Sequence, residues 1–558
     1  MKKLYIDMME KSLSAYTPEH IQEYFDTVKR DGLTEHGFPR LTANIGILIA
    51  NGRSLHLKPL FLEMMELCCI SIPRVKAANN FSVREIISCI SELEKSESVD
   101  IEAIERWKGY LSDIDYERCY ELTAVSPDDK VKNWALFAAL SEFFRKKMGL
   151  GGSDEWIETQ LATQLQWLDE NGMYMDAEGE IHHPIMYDIV ARGLFALLLK
   201  AGYTGRYYKE IDECLRQSGL LTLKMQSPNG ELAFGGRSNQ FLHNEAWLIV
   251  IYEYEASRYI KEGNVKEAMM FKAAISRALD VTEKWLSKTP IGHIKNRFPR
   301  ENGFGCEKYA YFDKYMITVA SNIYVAYLVA DVSIEPSQMP DYAPTVFETS
   351  SHFHKLFAKA GGYGLEFDFN ADPSYDASGL GRIHRAGAPS QICLSVPCPE
   401  KPEYEIGAPK NTALAMNVAV RHNGEWLSGA NVGTQYELIS ASTTDTAAYI
   451  TVKNVFAQGW NVISEYEINE NGVEIKVIGE GEIGYILPAF YYDGESYSEI
   501  VLGGNTLCVL YDGWMCRYVS DGVISDTGIL TANRNGYYKV YNVLGMNKIN
   551  IKVEIIRL

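Results

Sequence analysis

Apolar positions recur with a helical period from the N-terminus to about Asp331 and with a period of two from about residue 346 onward. The first region predicts about twelve helices, near 18–30, 41–51, 56–70, 82–94, 100–112, 131–147, 154–170, 186–201, 207–222, 241–262, 264–286 and 311–331. The stretch VKNWALFAALSEFFRKKMG shows the pattern well. Trp134, Phe137, Ala138, Leu140 and Phe144 make one apolar side, and Gly149 ends the helix. YDIVARGLFALLLKAGY is stopped by Gly202 in the same way, and Thr204 is placed to cap the helix that follows.

The Pro-containing segment SIEPSQMPDYAP separates the two patterns. Beyond it, TALAMNVAV, AAYITVKNVF, WNVISEYEI, GVEIKVIGE, GYILPAFYY, TLCVLYDGW, YYKVYNVLG and KINIKVEIIRL alternate and are rich in β-branched residues. Asn-Gly, Asp-Gly and Gly-Gly turns divide them. Eight or more short antiparallel strands predict a β-sandwich. Twelve helices of similar length predict six hairpins closed in a ring, an (α/α)6 toroid with a concave mouth. The expected organisation is a toroid over 1–335 and a β-sandwich over 346–558, two large units where length alone suggests three or four.

Composition narrows the function. The chain is 46% hydrophobic and 23% charged, which excludes a disordered, collagenous or coiled-coil protein. A formal net charge of −19, spread over both halves, disfavours nucleic acid and anionic membranes as partners. The 35 Tyr and 9 Trp suit either a large core or a sugar-binding groove. Ten Cys without a C-x-x-C spacing read as reduced thiols of a cytoplasmic protein. The N-terminus lacks the apolar run of a signal peptide, and no run approaches a membrane span.

Five strings carry candidate chemistry. In residues 225–247, Gly230, Gly235 and Gly236 form a turn, and Arg237, Ser238, Asn239, Gln240, His243, Asn244 and Glu245 lead into an apolar helix. So many hydrogen-bonding groups at a helix start point to a polar ligand, or else to a helix cap by Ser238 or Asn239. Residues 169–192 hold His182, His183, Tyr187, Asp188 and Arg192. Asp188 and Arg192 are spaced as an i,i+4 ion pair. The two His are placed as metal ligands, but no third and fourth ligand follow at metal spacing, so no metal or other cofactor is expected. Asn133-Trp134 opens a helix. Residues 379–390 carry Arg382, His384 and Arg385, either a basic patch over the mouth or a solvated strand. Residues 293–315 are rich in Tyr, Lys and Arg, either the rim of an anion site or a surface loop. Phosphate-loop, dinucleotide, nucleophile-elbow and zinc-protease signatures are absent.

The order of parts, with Asn133-Trp134 and the NGMY…HHPIMY stretch, resembles the heparinase II/III-like polysaccharide lyases. That group shares its toroid with several glycoside hydrolases, including a β-glucuronidase family of gut bacteria. The resemblance implies a uronic-acid-containing oligosaccharide as substrate, and it puts Tyr187 in the place of the family's catalytic tyrosine and His384 near its β-domain histidine. Trp134 departs from the Asn-His pair of the lyases, which leaves the base open, and His243 is placed to fill the vacancy.

Two mechanisms fit these residues. In a β-elimination, Asn133, Asn239 and Arg237 would hold the uronate carboxylate, Tyr187 or His243 would take the C5 proton, and Tyr187 would protonate the departing O4. Arg192 or Arg237 would depress the tyrosine pKa. In a hydrolysis, Asp188 and Glu245 would be the two carboxylates, with Arg237 and His243 on the uronate. Trp134, Asn244 and Arg382 complete the expected sugar-binding set. A non-catalytic glycan-binding or scaffold protein is the third reading. The oligomeric state is not legible.

Overall fold

A computed structural model describes residues 1–176, 184–335, 343–407, 410–430 and 433–558. Fourteen α-helices occur among the described residues. They are α1 (Lys2–Leu13), α2 (Pro18–Asp31), α3 (Gly37–Ala50), α4 (Lys58–Ser71), α5 (Val83–Ser96), α6 (Ile101–Ser112) and α7 (Tyr116–Cys119). Then follow α8 (Trp134–Lys147), α9 (Asp154–Leu165), α10 (Ile185–Lys200), α11 (Tyr208–Met225), α12 (His243–Lys261), α13 (Val265–Leu286) and α14 (Phe312–Val329). All twelve expected helices are present within a few residues. The helix α1 and the single turn α7 are additional. Thr204 does not cap α11, which begins at Tyr208 after Tyr207 with no side-chain capping bond.

Neighbour relations define the ring. α3 packs on α5, α5 on α8, α8 on α10, α10 on α12, α12 on α14, and α14 back on α3. These six inner helices alternate along the chain with the outer helices α2, α4, α6, α9, α11 and α13, so the helical part is an (α/α)6 toroid. Position explains burial. Every residue of α3 except the last is buried, as are nearly all of α10, because each inner helix is walled by two inner neighbours and an outer layer. Close approach needs small residues. A Cβ on Gly193 of α10 would run into the Trp247 ring of α12.

The remaining chain forms two antiparallel sheets. Strands β1 (Thr345–Glu348), β2 (Lys355–Ala360), β3 (Tyr363–Asp368) and β4 (Gly379–Arg385) make a four-stranded sheet in sequence order. Eleven strands between Asn417 and Arg557 make the second sheet. Leu356, Leu365 and Ile383 of the small sheet share one core with Val418, Ile450, Ile475 and Val553 of the large one, which makes the pair a sandwich. The sequence segments GVEIKVIGE and GYILPAFYY are one strand, Gly472–Tyr492, and YYKVYNVLG and KINIKVEIIRL are one strand, Gly536–Arg557. The glycines that look like turns sit at a bulge instead. Gly481 has φ +77° where the register shifts between Ile478 and Glu482, so the strand bends without reversing. Among the described residues no helix is long and apolar enough to cross a membrane.

Candidate active site

The first two turns of five inner helices, and the turn just before the sixth, α5, meet at one end of the ring around a cavity of about 450 Å³. His36 and Arg40 come from the start of α3, Phe81 from the turn before α5, and Asn133, Trp134 and Phe137 from α8. Met186, Tyr187 and Val190 come from α10, His243 and Trp247 from α12, and Lys314, Tyr315 and Thr318 from α14. Leu122, Lys132, Arg237, Ser238 and Tyr309 complete the wall. The starts of the inner helices gather at this space, so their positive dipole ends favour an anion before any side chain is counted. Lys132, Arg237 and Lys314 strengthen that preference, while Arg40 is ion-paired with buried Glu85 at 2.9 Å. Among the described lining residues none is a carboxylate.

Two histidines here are neutral. Burial, followed by the charge of Arg40, drives His243 down to about 3. Among the described residues its Nδ1 has no hydrogen-bond partner, and its ring packs against both Phe241 and Tyr315, at centroid distances of 5.4 and 5.8 Å. Burial likewise holds His36 well below the usual imidazole range. Tyr187 is pushed up by burial, and the Arg237 guanidinium and a hydrogen bond from Ser238 pull the other way. That guanidinium lies 4.9 Å from the centre of the Tyr187 ring. Trp134 meets Phe81 edge-on at 4.7 Å, giving one side of the cavity an aromatic wall.

The loop that delivers Arg237 and Ser238 is strained. Ser238 and Gln240 have φ of +61° and +64°, a region that costs non-glycine residues about 1–3 kcal/mol each. Contacts from outside the loop hold it. Gly236 N donates to Asp376 Oδ2 at 2.7 Å, and Ser238 N donates to Glu307 Oε1 at 2.7 Å. Glu307 is gripped at 2.7 and 2.8 Å by both terminal nitrogens of Arg534, which sits in the turn between the last two strands of the sandwich. Burial lifts Asp376 to about 7.

Of the residues expected from sequence, Asn133, Trp134, Tyr187, Arg237 and His243 converge on the cavity. Asn133 is the N-cap residue of α8, yet its side chain makes no capping bond. Eight others point elsewhere. Asp188 and Arg192, both fully buried, form the i,i+4 ion pair at 2.8 and 2.5 Å, and Arg192 also donates to Thr222 Oγ1 at 2.7 Å. Asp188 further accepts from Tyr174 N at 2.8 Å. Glu245 is buried against Lys295 Nζ at 2.7 Å, and burial raises its pKa. Asn239 donates to Ala233 O at 3.1 Å, and Asn244 to Ser238 O at 3.1 Å, so both brace the loop and neither caps α12.

Arg382 donates to Leu232 O at 3.0 Å and lies 3.4 Å from Glu366. His384 meets Ser227 Oγ at 2.7 Å and is lowered to about 3, burial being the main cause. Arg385 donates to the carbonyl of Ile555. His182 and His183 lie outside the described residues. Among those described, no three His, Cys, Asp or Glu gather as a metal site.

His36, Arg40, Phe81, Lys132, Tyr309, Lys314 and Tyr315 line the cavity without having been singled out individually. A usable signal existed. Each polar member stands near the start of a helix that is otherwise apolar, or just before one.

A scan against protein-family models finds no match, and a search of curated proteins finds none. Among solved structures, the chain is similar to heparinase III at 10% identity and a TM-score of 0.48, over 93% of this chain and 77% of that one. It is similar to a mutant heparan sulfate lyase from Pedobacter heparinus at 12% identity and a TM-score of 0.47, over 94% and 76%. It is also similar to a glycosyl hydrolase of family 88 from Bacteroides vulgatus at 12% identity and a TM-score of 0.38, over 59% and 99%.

Proposed function

We propose that the protein is a carbohydrate-active enzyme that cleaves uronic-acid-containing oligosaccharides by β-elimination. One observation carries this reading. A tyrosine, a neutral histidine, an asparagine and an arginine stand together in a cation-lined cavity at six helix N-termini. A C5–H is acidic enough to remove only when the neighbouring carboxylate is neutralised. Asn133 and Arg237, with the helix N-termini behind them, are placed to bind that carboxylate and the enolate charge that develops on it. His243, with an imidazole free of its proton, takes the C5 proton. Tyr187, whose phenol keeps its proton because burial raises its pKa, donates it to the departing O4. Trp134 and Phe81 offer the apolar face against which a pyranose ring lies.

Hydrolysis would need two carboxylates roughly 5–9.5 Å apart flanking the glycosidic oxygen. The sequence candidates Asp188 and Glu245 are instead engaged in buried ion pairs with Arg192 and Lys295. The test is incubation with uronate oligosaccharides, following ultraviolet absorbance and new reducing ends together. Elimination creates a C4–C5 double bond conjugated to the carboxylate, so both signals rise together, and Tyr187→Phe loses both. Reducing ends without the absorbing product would mean hydrolysis and sink the proposal.

A further inference from the structure

Arg534 and Asn535 form the two-residue turn that joins the sandwich strands Val523–Asn533 and Gly536–Arg557, and both are buried against loops of the toroid. They serve the two left-handed residues of the Arg237 loop in order. Arg534 grips Glu307, the acceptor for Ser238 N, and its guanidinium also donates to Gly305 O at 2.8 Å and lies 4.1 Å from the centre of the Tyr404 ring. Asn535 Nδ2 donates to Gln240 Oε1 at 3.2 Å and to Lys295 O at 2.8 Å, and Lys295 N donates to Gln240 O at 3.0 Å. Left-handed backbone at non-glycine residues persists only where the surroundings over-determine it. Here a large part of those surroundings comes from one turn of the other domain. If Ser238 relaxed from φ +61° to the ordinary right-handed region, the chain would rotate by about 120° next to Arg237. That rotation would carry the Arg237 guanidinium off the Tyr187 ring, from whose centre it now lies 4.9 Å.

Taking its substrate from the elimination reading, we propose that Arg534 and Asn535 are positioning residues. The sandwich turn fixes the backbone that presents Arg237, and so sets how well the cavity holds the uronate carboxylate. Neither residue is among those lining the cavity, so their effect on the substrate passes through the Arg237 loop. The sandwich is then a working part of the site, although its turn never meets the sugar.

The test is a set of double-mutant cycles on the full chain. Arg534→Lys, which keeps the charge but loses the paired bonds, and Asn535→Ala are each made alone and together with Arg237→Met. Binding of a glucuronate-containing disaccharide is measured by calorimetry, kcat/KM by ultraviolet absorbance, and folding by the urea midpoint. Each single variant is expected to weaken binding and lower kcat/KM by about tenfold while remaining folded. In the Arg237→Met background the same changes should cost less than about twofold, because the residue they position is gone. A merely structural role would give the same loss in both backgrounds, and that result overturns the proposal, as does full binding by both single variants. If the wild type binds the disaccharide but forms no ultraviolet-absorbing product, elimination falls while the binding cycles still decide the positioning role. If the wild type neither binds nor cleaves it, both fall.

Discussion

Asp188→Asn separates scaffold from chemistry. In the native protein the carboxylate takes two charge-assisted hydrogen bonds from Arg192, at 2.8 and 2.5 Å, and one from Tyr174 N at 2.8 Å, with no solvent exposure on either side of the pair. An asparagine keeps one oxygen as acceptor. Its amide then faces the Arg192 terminal nitrogen donor to donor, and the guanidinium is left buried without a counter-charge. Breaking one side of a buried pair costs about 3–5 kcal/mol. At 1.4 kcal/mol per decade, that is roughly two to three and a half decades in the folding equilibrium, a large part of the 5–15 kcal/mol typical of a domain.

Urea unfolding followed by intrinsic fluorescence should therefore show a much lower midpoint, while activity per folded molecule, assayed cold and without denaturant, stays within a few-fold of wild type. Asp188→Leu combined with Arg192→Met removes both charges and should recover most of the midpoint. A variant as stable as wild type but inactive would place Asp188 in the reaction and refute this reasoning.

Three further outcomes are expected. His243 and His384 are held down to about 3 and His293 to about 4, mainly by burial, so all three should be neutral at pH 5 in the 15N spectra of histidine-labelled protein, and a titration of any of them near the ordinary 6.5 would contradict the structure. Each then binds its proton only on unfolding, so its contribution to stability is full above 6.5 and is lost as the pH falls toward the folded value. Arg237→Met should raise KM for anionic oligosaccharides by about tenfold or more and push the alkaline limb of the kcat/KM profile upward, because the guanidinium holds the Tyr187 pKa down; an unchanged limb would show that the two do not interact. Gly193→Ala should overpack the α10–α12 contact and cost about 1–3 kcal/mol, read as a lower urea midpoint, with weaker substrate binding as Trp247 shifts; a neutral effect would mean the ring yields freely.

The toroid was legible in sequence because each inner helix is walled on nearly every side, and apolar runs such as YDIVARGLFALLLK follow from that directly. The strands were less so. A glycine at a bulge and a glycine at a hairpin look alike until the partner strand is in view, as at Gly481. The site was half legible for a reason of angle. A helix turns 100° per residue, so Tyr187 faces the cavity while Asp188, next along the chain, faces Arg192 in the interior. His243 and Trp247, four apart, share the cavity face, and Asn244 and Glu245 rotate out of it. The reversals at Ser238 and Gln240 divide the GGRSNQ string similarly, and no local pattern announces them. Residues such as His36 and Arg40 join the site only because the ring brings α3 beside α14, some 270 positions later in the chain.

The convergence of helix N-termini has a kinetic consequence. A chain of formal charge −19 repels a polyanion at long range, yet carries a recessed cavity with cationic lining. Added salt screens the outer repulsion, which acts through water over distances comparable with the Debye length of about 8–10 Å, before it weakens the sheltered attraction. Capture should therefore quicken with ionic strength at first and slow later. The repulsive exterior also acts as a filter: of all approach directions for a flexible anionic chain, it leaves the mouth as the favourable one.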